Sequence, residues 1–119
     1  MTTLYVNITS SPSGKGHVYA ISNSSNSNGT SPRATPKLNL VSGNLYRFEI
    51  DTPGHPFYIT TSSVGGGNLS GNNLIGALRF PNNSGIEKGS LTWTPVKTNV
   101  RVYYQCNYHK NMGGEIIIN

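Results

Sequence analysis

Short runs in which apolar and polar residues alternate dominate the chain. Three of them are Leu4, Val6 and Ile8; Tyr46, Phe48 and Ile50; and Val102, Tyr104 and Cys106. Successive side chains of a strand point to opposite faces, so a period of two predicts strands with one buried face. Turn-forming residues separate the runs, with 14 Gly and 7 Pro in 119 residues. We therefore predict an all-β fold, an antiparallel β-sandwich of Greek-key type without a helix of normal length.

The length favours one domain over residues 1–119. Nine Lys and Arg against four Asp and Glu give a net charge of +5. The basic residues are scattered, which argues against a nucleic-acid partner and suits solubility or steering towards an acidic partner. No apolar run is long enough to span a bilayer. Residues 1–5 lead straight into a strand pattern, so we expect no signal peptide in this chain.

Less regular segments lie between the predicted strands. We expect residues 22–36 to form a surface loop. Residues 61–90 read as a long loop, in which the apolar patch at 74–80 forms a short strand or a helical turn. The alternation also places Val100 on the buried face, two residues before Val102.

One short turn near the end of the chain carries three soft metal donors. Cys106, His109 and Met112 follow one another at intervals of three residues. A thiolate, two imidazoles and a weak axial thioether suit copper that alternates between two oxidation states. His55 is the candidate for the second imidazole, since it shares a strand face with Phe57 and should point inward. Strand ends of a sandwich meet at one rim, where the two loops can converge.

Each of these residues also has a structural interpretation. A single Cys is often a small buried apolar residue, and Met often fills a core. The spacing and the inward His55 favour a metal site, whereas His17 lacks such company and is expected to be a surface or core polar residue. A thiol-protease pair of Cys106 and His109 would lack a third orienting residue, so we expect no enzyme.

Residues 104–114 resemble the end of a cupredoxin, the small blue-copper fold. Residues 38–59, with Gly54-His55-Pro56-Phe57, resemble the region of the first histidine ligand, and residues 89–95 resemble the penultimate strand. The ligand-loop spacing is similar to that of amicyanin, whereas plastocyanin has a longer gap between the second histidine and the methionine. The resemblance implies one type 1 copper ion bound by the two imidazoles of His55 and His109, the Cys106 thiolate and the axial Met112.

The resemblance also implies a one-electron carrier between larger redox proteins, with the exposed edge of His109 as the electron port. Tyr108 and Lys110 beside it suggest a partner with an acidic docking face. A monomer in the periplasm or outside the cell is expected on the same basis. The alternative is a structural or adhesion module of an extracellular or viral assembly that uses the sandwich as a scaffold.

Other metal centres fit the sequence less well. Three histidines cannot build the trinuclear cluster of multicopper oxidases, and one cysteine cannot build a binuclear copper centre. Methionine is a poor ligand for structural zinc.

Overall fold

The structure is a computed structural model that describes residues 1–11, 14, 16–22, 33–66 and 85–119. This part of the chain contains nine strands and no helix. The strands are β1 Thr2–Ser10, β2 His17–Ser22, β3 Arg33–Ala34, β4 Leu38–Leu40, β5 Tyr46–Asp51, β6 Phe57–Thr60, β7 Lys88–Trp93, β8 Val102–Cys106 and β9 Gly114–Ile118. Among these residues there is accordingly no helix that could cross a membrane.

The strands form two sheets, which confirms the predicted all-β sandwich. One sheet has the order β3-β2-β1-β5-β7 and the other has the order β4-β9-β8-β6. Five of the described strand pairings are antiparallel, but β1 pairs with β5 and β4 pairs with β9 in parallel. The sequence pattern does not distinguish these pairs, because a strand with one buried face alternates in the same way in either direction.

The core lies between the two sheets and follows the predicted alternation. Phe48 and Trp93 of the five-stranded sheet are buried against Phe57 and Tyr104 of the other sheet. The rings of Phe48 and Phe57 lie 5.8 Å apart, as do those of Phe57 and Tyr104. Aromatic pairs at such distances contribute beyond their buried area.

The prediction for Val100 was wrong. This residue is 53% exposed, and β8 begins only at Val102. The chain bends at residues 99–100, so the strand parity does not extend back to this side chain.

Two predicted loops fall largely outside the described residues. Of the predicted loop over residues 22–36, residues 23–32 are not described, but Arg33–Ala34 forms β3 by pairing with β2. The predicted short element at residues 74–80 also lies outside the described residues.

Three links between strands come together at one rim of the sandwich. In the four-stranded sheet Phe57, the first residue of β6, pairs with Cys106, the last residue of β8. The link 52–56 before β6 and the link 107–113 after β8 are therefore neighbours. His17 begins β2 opposite Ser10, the last residue of β1, and β1 runs parallel to β5, which ends at Asp51. The hairpin between β1 and β2 thus lies at the same rim.

Candidate metal centre

The backbone of His55 is held by Thr52 and by Tyr19. Its N–H donates to the carbonyl of Thr52 at 2.9 Å. Its carbonyl accepts hydrogen bonds from the Thr52 hydroxyl and from the Tyr19 hydroxyl, each at 2.8 Å. Tyr19 belongs to β2 of the five-stranded sheet, whereas His55 leads into β6 of the other. Both hydroxyl-bearing side chains are fully buried, so the position of His55 is set by the core.

A tight turn before His55 aims the chain into the rim. Gly54 has φ of +79°, a conformation that side chains disfavour, and its N–H donates to Glu87 Oε1 at 2.6 Å. The turn reverses the chain between β5 and β6 within five residues. The imidazole of His55 is consequently delivered to the rim and is only 9% exposed.

The loop after β8 folds back around the sulfur of Cys106. Cys106 is fully buried, and the N–H of Tyr108 donates to its Sγ at 3.4 Å. Asn111 adopts a left-handed conformation with φ of +60°, which asparagine tolerates better than most residues. The N–H of Asn111 donates to the carbonyl of Val64 at 2.7 Å, which anchors the turn to the loop after β6.

Backbone hydrogen bonds join the two ligand loops to each other and to the loop after β6. The N–H of Asn107 donates to the carbonyl of Pro56 at 3.0 Å, and the N–H of Gly66 donates to the carbonyl of Cys106 at 2.9 Å. Pro56 has no N–H of its own, so it joins the two loops as an acceptor. A Cβ atom on Gly66 would overlap the side chain of Lys110, so the approach of these segments requires glycine there.

Three predicted ligands converge at this rim. Cys106 Sγ lies 3.6 Å from His109 Nδ1 and 3.9 Å from His55 Nδ1. One donor atom from each of the three residues falls within 4.8 Å of the others, and the two imidazole rings lie 4.7 Å apart. Metal–sulfur bonds of about 2.3 Å and metal–nitrogen bonds of about 2.0 Å in a trigonal arrangement separate donors by roughly 3.5–3.8 Å. The group therefore fits one small metal ion.

The environment of His55 favours its neutral, metal-binding form. Burial lowers the pKa of His55 below its usual value, and the nearby imidazoles of His109 and His17 lower it further. A neutral imidazole offers the lone pair that a metal ion requires. Burial raises the pKa of Tyr19 far above its usual value, so the Tyr19 hydroxyl stays protonated and able to donate.

Met112 lies next to this group. It is 2% exposed and lines the same cavity as His55 and His109. Bonding of the Met112 sulfur to a metal stays a prediction.

The sequence interpretation missed the place of His17. Its exposed ring stands edge-on to that of His55, with 5.3 Å between the ring centroids. The one sequence signal for this is that His17 begins a strand, at the rim where the ligand loops lie. Which strand ends share a rim depends on the sheet order, which the sequence pattern does not provide.

No protein-family model matches the chain, and no curated protein sequence matches it. Among solved structures, rusticyanin from Thiobacillus ferrooxidans is similar over the full chain, with a TM-score of 0.58 and 16% identity. A second structure, described as the copper protein rusticyanin, has a TM-score of 0.56 and 15% identity. In both cases this chain covers 79% of the rusticyanin chain. At this level of identity the likeness concerns the fold, and the chain has the fold of rusticyanin, a cupredoxin, with a histidine–cysteine–histidine group at its rim that could hold a metal ion.

Proposed function

We propose that this protein binds one copper ion in a type 1 site and carries single electrons between redox partners. The observation that carries the proposal is the His55–Cys106–His109 group, whose donor atoms already lie within 4.8 Å of one another. The proposed ligands are these three residues, with Met112 as the axial thioether. The predicted single domain over residues 1–119 and the periplasmic or extracellular location are part of the same proposal.

The chemistry of the donors selects copper over other ions. A thiolate with two imidazoles and a thioether is the donor set of blue-copper sites, whereas structural zinc sites use cysteine, histidine and carboxylates. None of the four acidic side chains belongs to the group, so the harder cations that prefer oxygen lack ligands here. When bound, copper would supply a one-electron couple.

The protein's own residues would keep this site constant when its charge changes. The hydroxyls of Tyr19 and Thr52 hold the His55 carbonyl, and the N–H of Tyr108 holds the sulfur of Cys106. Groups fixed in this way need little reorganisation during electron transfer, since their positions are set by the sandwich rather than by the ion.

Burial of the group is uneven, which suggests a route for the electron. Cys106 and His55 are buried, but His109 is exposed at the rim. An exposed ligand edge allows a partner to approach the site directly. Tyr108, which is 62% exposed, and Lys110 adjoin this edge. The hydroxyl group of Tyr108 and the positive charge of Lys110 suit an acidic partner surface.

Titration of the purified protein with Cu(II) tests the proposal. We expect an intense visible thiolate-to-copper absorption band that saturates at one equivalent, with a type 1 electron-spin spectrum. Cys106→Ser and His55→Ala should each abolish the band. His17→Ala is the matched control, because it removes another imidazole from the same cavity and should leave the band in place. A colourless protein at one equivalent would contradict the proposal.

A further inference from the structure

We propose that the cavity beside the metal centre is a docking pocket for an acidic side chain of the partner protein, with Lys110 and His17 as its recognition groups. That the partner is a redox protein rests on the proposed function. The pocket itself is inferred from shape and charge alone.

The cavity is large enough to receive one side chain. Its volume is about 440 Å³, and it lies between the hairpin that joins β1 to β2 and the loop that follows β8. The buried side chains of His55 and Met112 line its inner part, whereas His17, His109 and Lys110 are exposed. A pocket of this kind accepts an anchor residue from a partner.

The distribution of charge selects a carboxylate as the occupant. None of the acidic residues lines the cavity, although all four of the chain lie in its described part. Three of them pair with basic side chains elsewhere: Glu49 with Arg47, Asp51 with Lys88, and Glu115 with Lys37 and Arg101. The fourth, Glu87, accepts the N–H of Gly54. The ammonium group of Lys110 has no ion-pair partner among the described residues, so it attracts an incoming anion and repels a second metal cation.

Both recognition groups line the cavity and both are hydrogen-bond donors suited to a carboxylate. The ammonium group of Lys110 carries three donors, and the imidazole of His17 carries an N–H in either protonation state. Hydrogen bonds from such donors to a carboxylate are charge-assisted and stronger than neutral ones. A side chain seated here would place the partner's surface against the exposed edge of His109, the proposed electron port.

Binding of a short acidic peptide to the copper-free full chain tests the pocket. The probe is tetraglutamate, and tetraglutamine of equal length is the uncharged control. Backbone amide shifts in NMR spectra give the site and the dissociation constant. We expect shifts centred on His17, His109 and Lys110, and no binding of tetraglutamine.

Two variants that each lose one positive charge, at different places, locate the interaction. Lys110→Gln should weaken tetraglutamate binding about three- to tenfold, as expected for loss of one partly exposed charge-assisted contact. Adding His17→Ala to Lys110→Gln should weaken tetraglutamate binding further. Lys97→Gln is the matched control and should leave the affinity unchanged, because Lys97 lies at the opposite rim, where its N–H donates to the Ser42 hydroxyl after β4.

Three results would overturn the pocket. Equal losses in the Lys97 and Lys110 variants would mean attraction by net charge alone. Shifts away from the cavity would place the acidic contact elsewhere. Acetate binding as tightly as the peptide, at equal carboxylate concentration, would indicate a site for free small anions rather than a docking surface. Copper loading is measured separately, so a protein that binds the peptide but gives no blue band would retain the pocket and lose the redox partner.

Discussion

The carbonyl of His55 allows a sharp test of how the core positions the metal centre. Tyr19→Phe removes one of its two hydroxyl donors but keeps the ring that packs edge-on against Phe57 at 5.3 Å. Thr52→Val removes the other donor and keeps a similar volume. In each single variant the buried carbonyl retains one partner.

The magnitudes follow from whether the carbonyl keeps a donor. Each single substitution should lower the unfolding free energy by about 0.5–1.5 kcal/mol, the net value of one hydrogen bond. The double variant removes both donors from a buried acceptor, and an unsatisfied buried group costs about 1–3 kcal/mol. We therefore expect Tyr19→Phe and Thr52→Val together to destabilise the protein by at least about 1 kcal/mol more than the sum of the two single effects.

Urea unfolding of the copper-free protein, followed by the fluorescence of the buried Trp93, measures all four corners of this cycle. Tyr103→Phe on β8 controls for loss of a tyrosine hydroxyl at a partly exposed position, where a change below about 0.5 kcal/mol is expected. Additivity within about 0.3 kcal/mol would refute the reasoning, since it would mean that the two hydroxyls do not share one acceptor.

Three further predictions concern the rim and the sheets. Tyr108→Pro removes the N–H that donates to Cys106 Sγ. This hydrogen bond withdraws electron density from the sulfur and so favours the reduced ion. Its loss should therefore lower the reduction potential of the copper-loaded protein, measured by cyclic voltammetry. A difference of about 1 kcal/mol between the two oxidation states corresponds to roughly 40 mV, and an unchanged potential would argue against this contact. Gly113→Ala should lower the free energy of unfolding in urea by about 3 kcal/mol or more, because a Cβ atom there would overlap a backbone carbonyl of β8. A free energy of unfolding near that of the wild type would contradict the tight packing. The hydrogen bond from Ser90 lowers the pKa of Glu49 in the folded protein below its value in the unfolded chain. The stabilisation that Glu49 provides is therefore fully present above the unfolded pKa and should be lost as the pH falls through the folded pKa. Glu49→Gln should remove this loss from the acid limb of a curve of unfolding free energy against pH.

Much of the fold could be predicted from local pattern. The strands that contain Phe48 and Tyr104 alternate apolar and polar residues, and their inner side chains are buried as this alternation requires. The two-residue strand Arg33–Ala34 could not be predicted, because its pairing with β2 rather than its own sequence makes it a strand. The parallel pairing of β1 with β5 and of β4 with β9 could not be predicted for a similar reason, since the relative direction of two strands depends on the order of the sheet.

The candidate site divides in the same way. Cys106 and His109 are close because one short turn joins them, and His55 could be added because strand parity pointed it inward. The ring of His17 beside His55 depends on which hairpin reaches the rim, which is a tertiary property. The connection from Asn107 to Pro56 uses backbone groups only, so no side-chain pattern could reveal it.

The hydroxyl of Tyr19 spans the interface between the two sheets, and this has a consequence for how the site forms. A ligand whose main chain is fastened by the opposite layer reaches its final place only after the layers have docked. The affinity for copper should therefore fall when the two sheets pack less tightly, even when the substitution that loosens them lies far from the ion. A cavity made at Trp93, near the other end of the sandwich, would then loosen metal binding without touching a ligand.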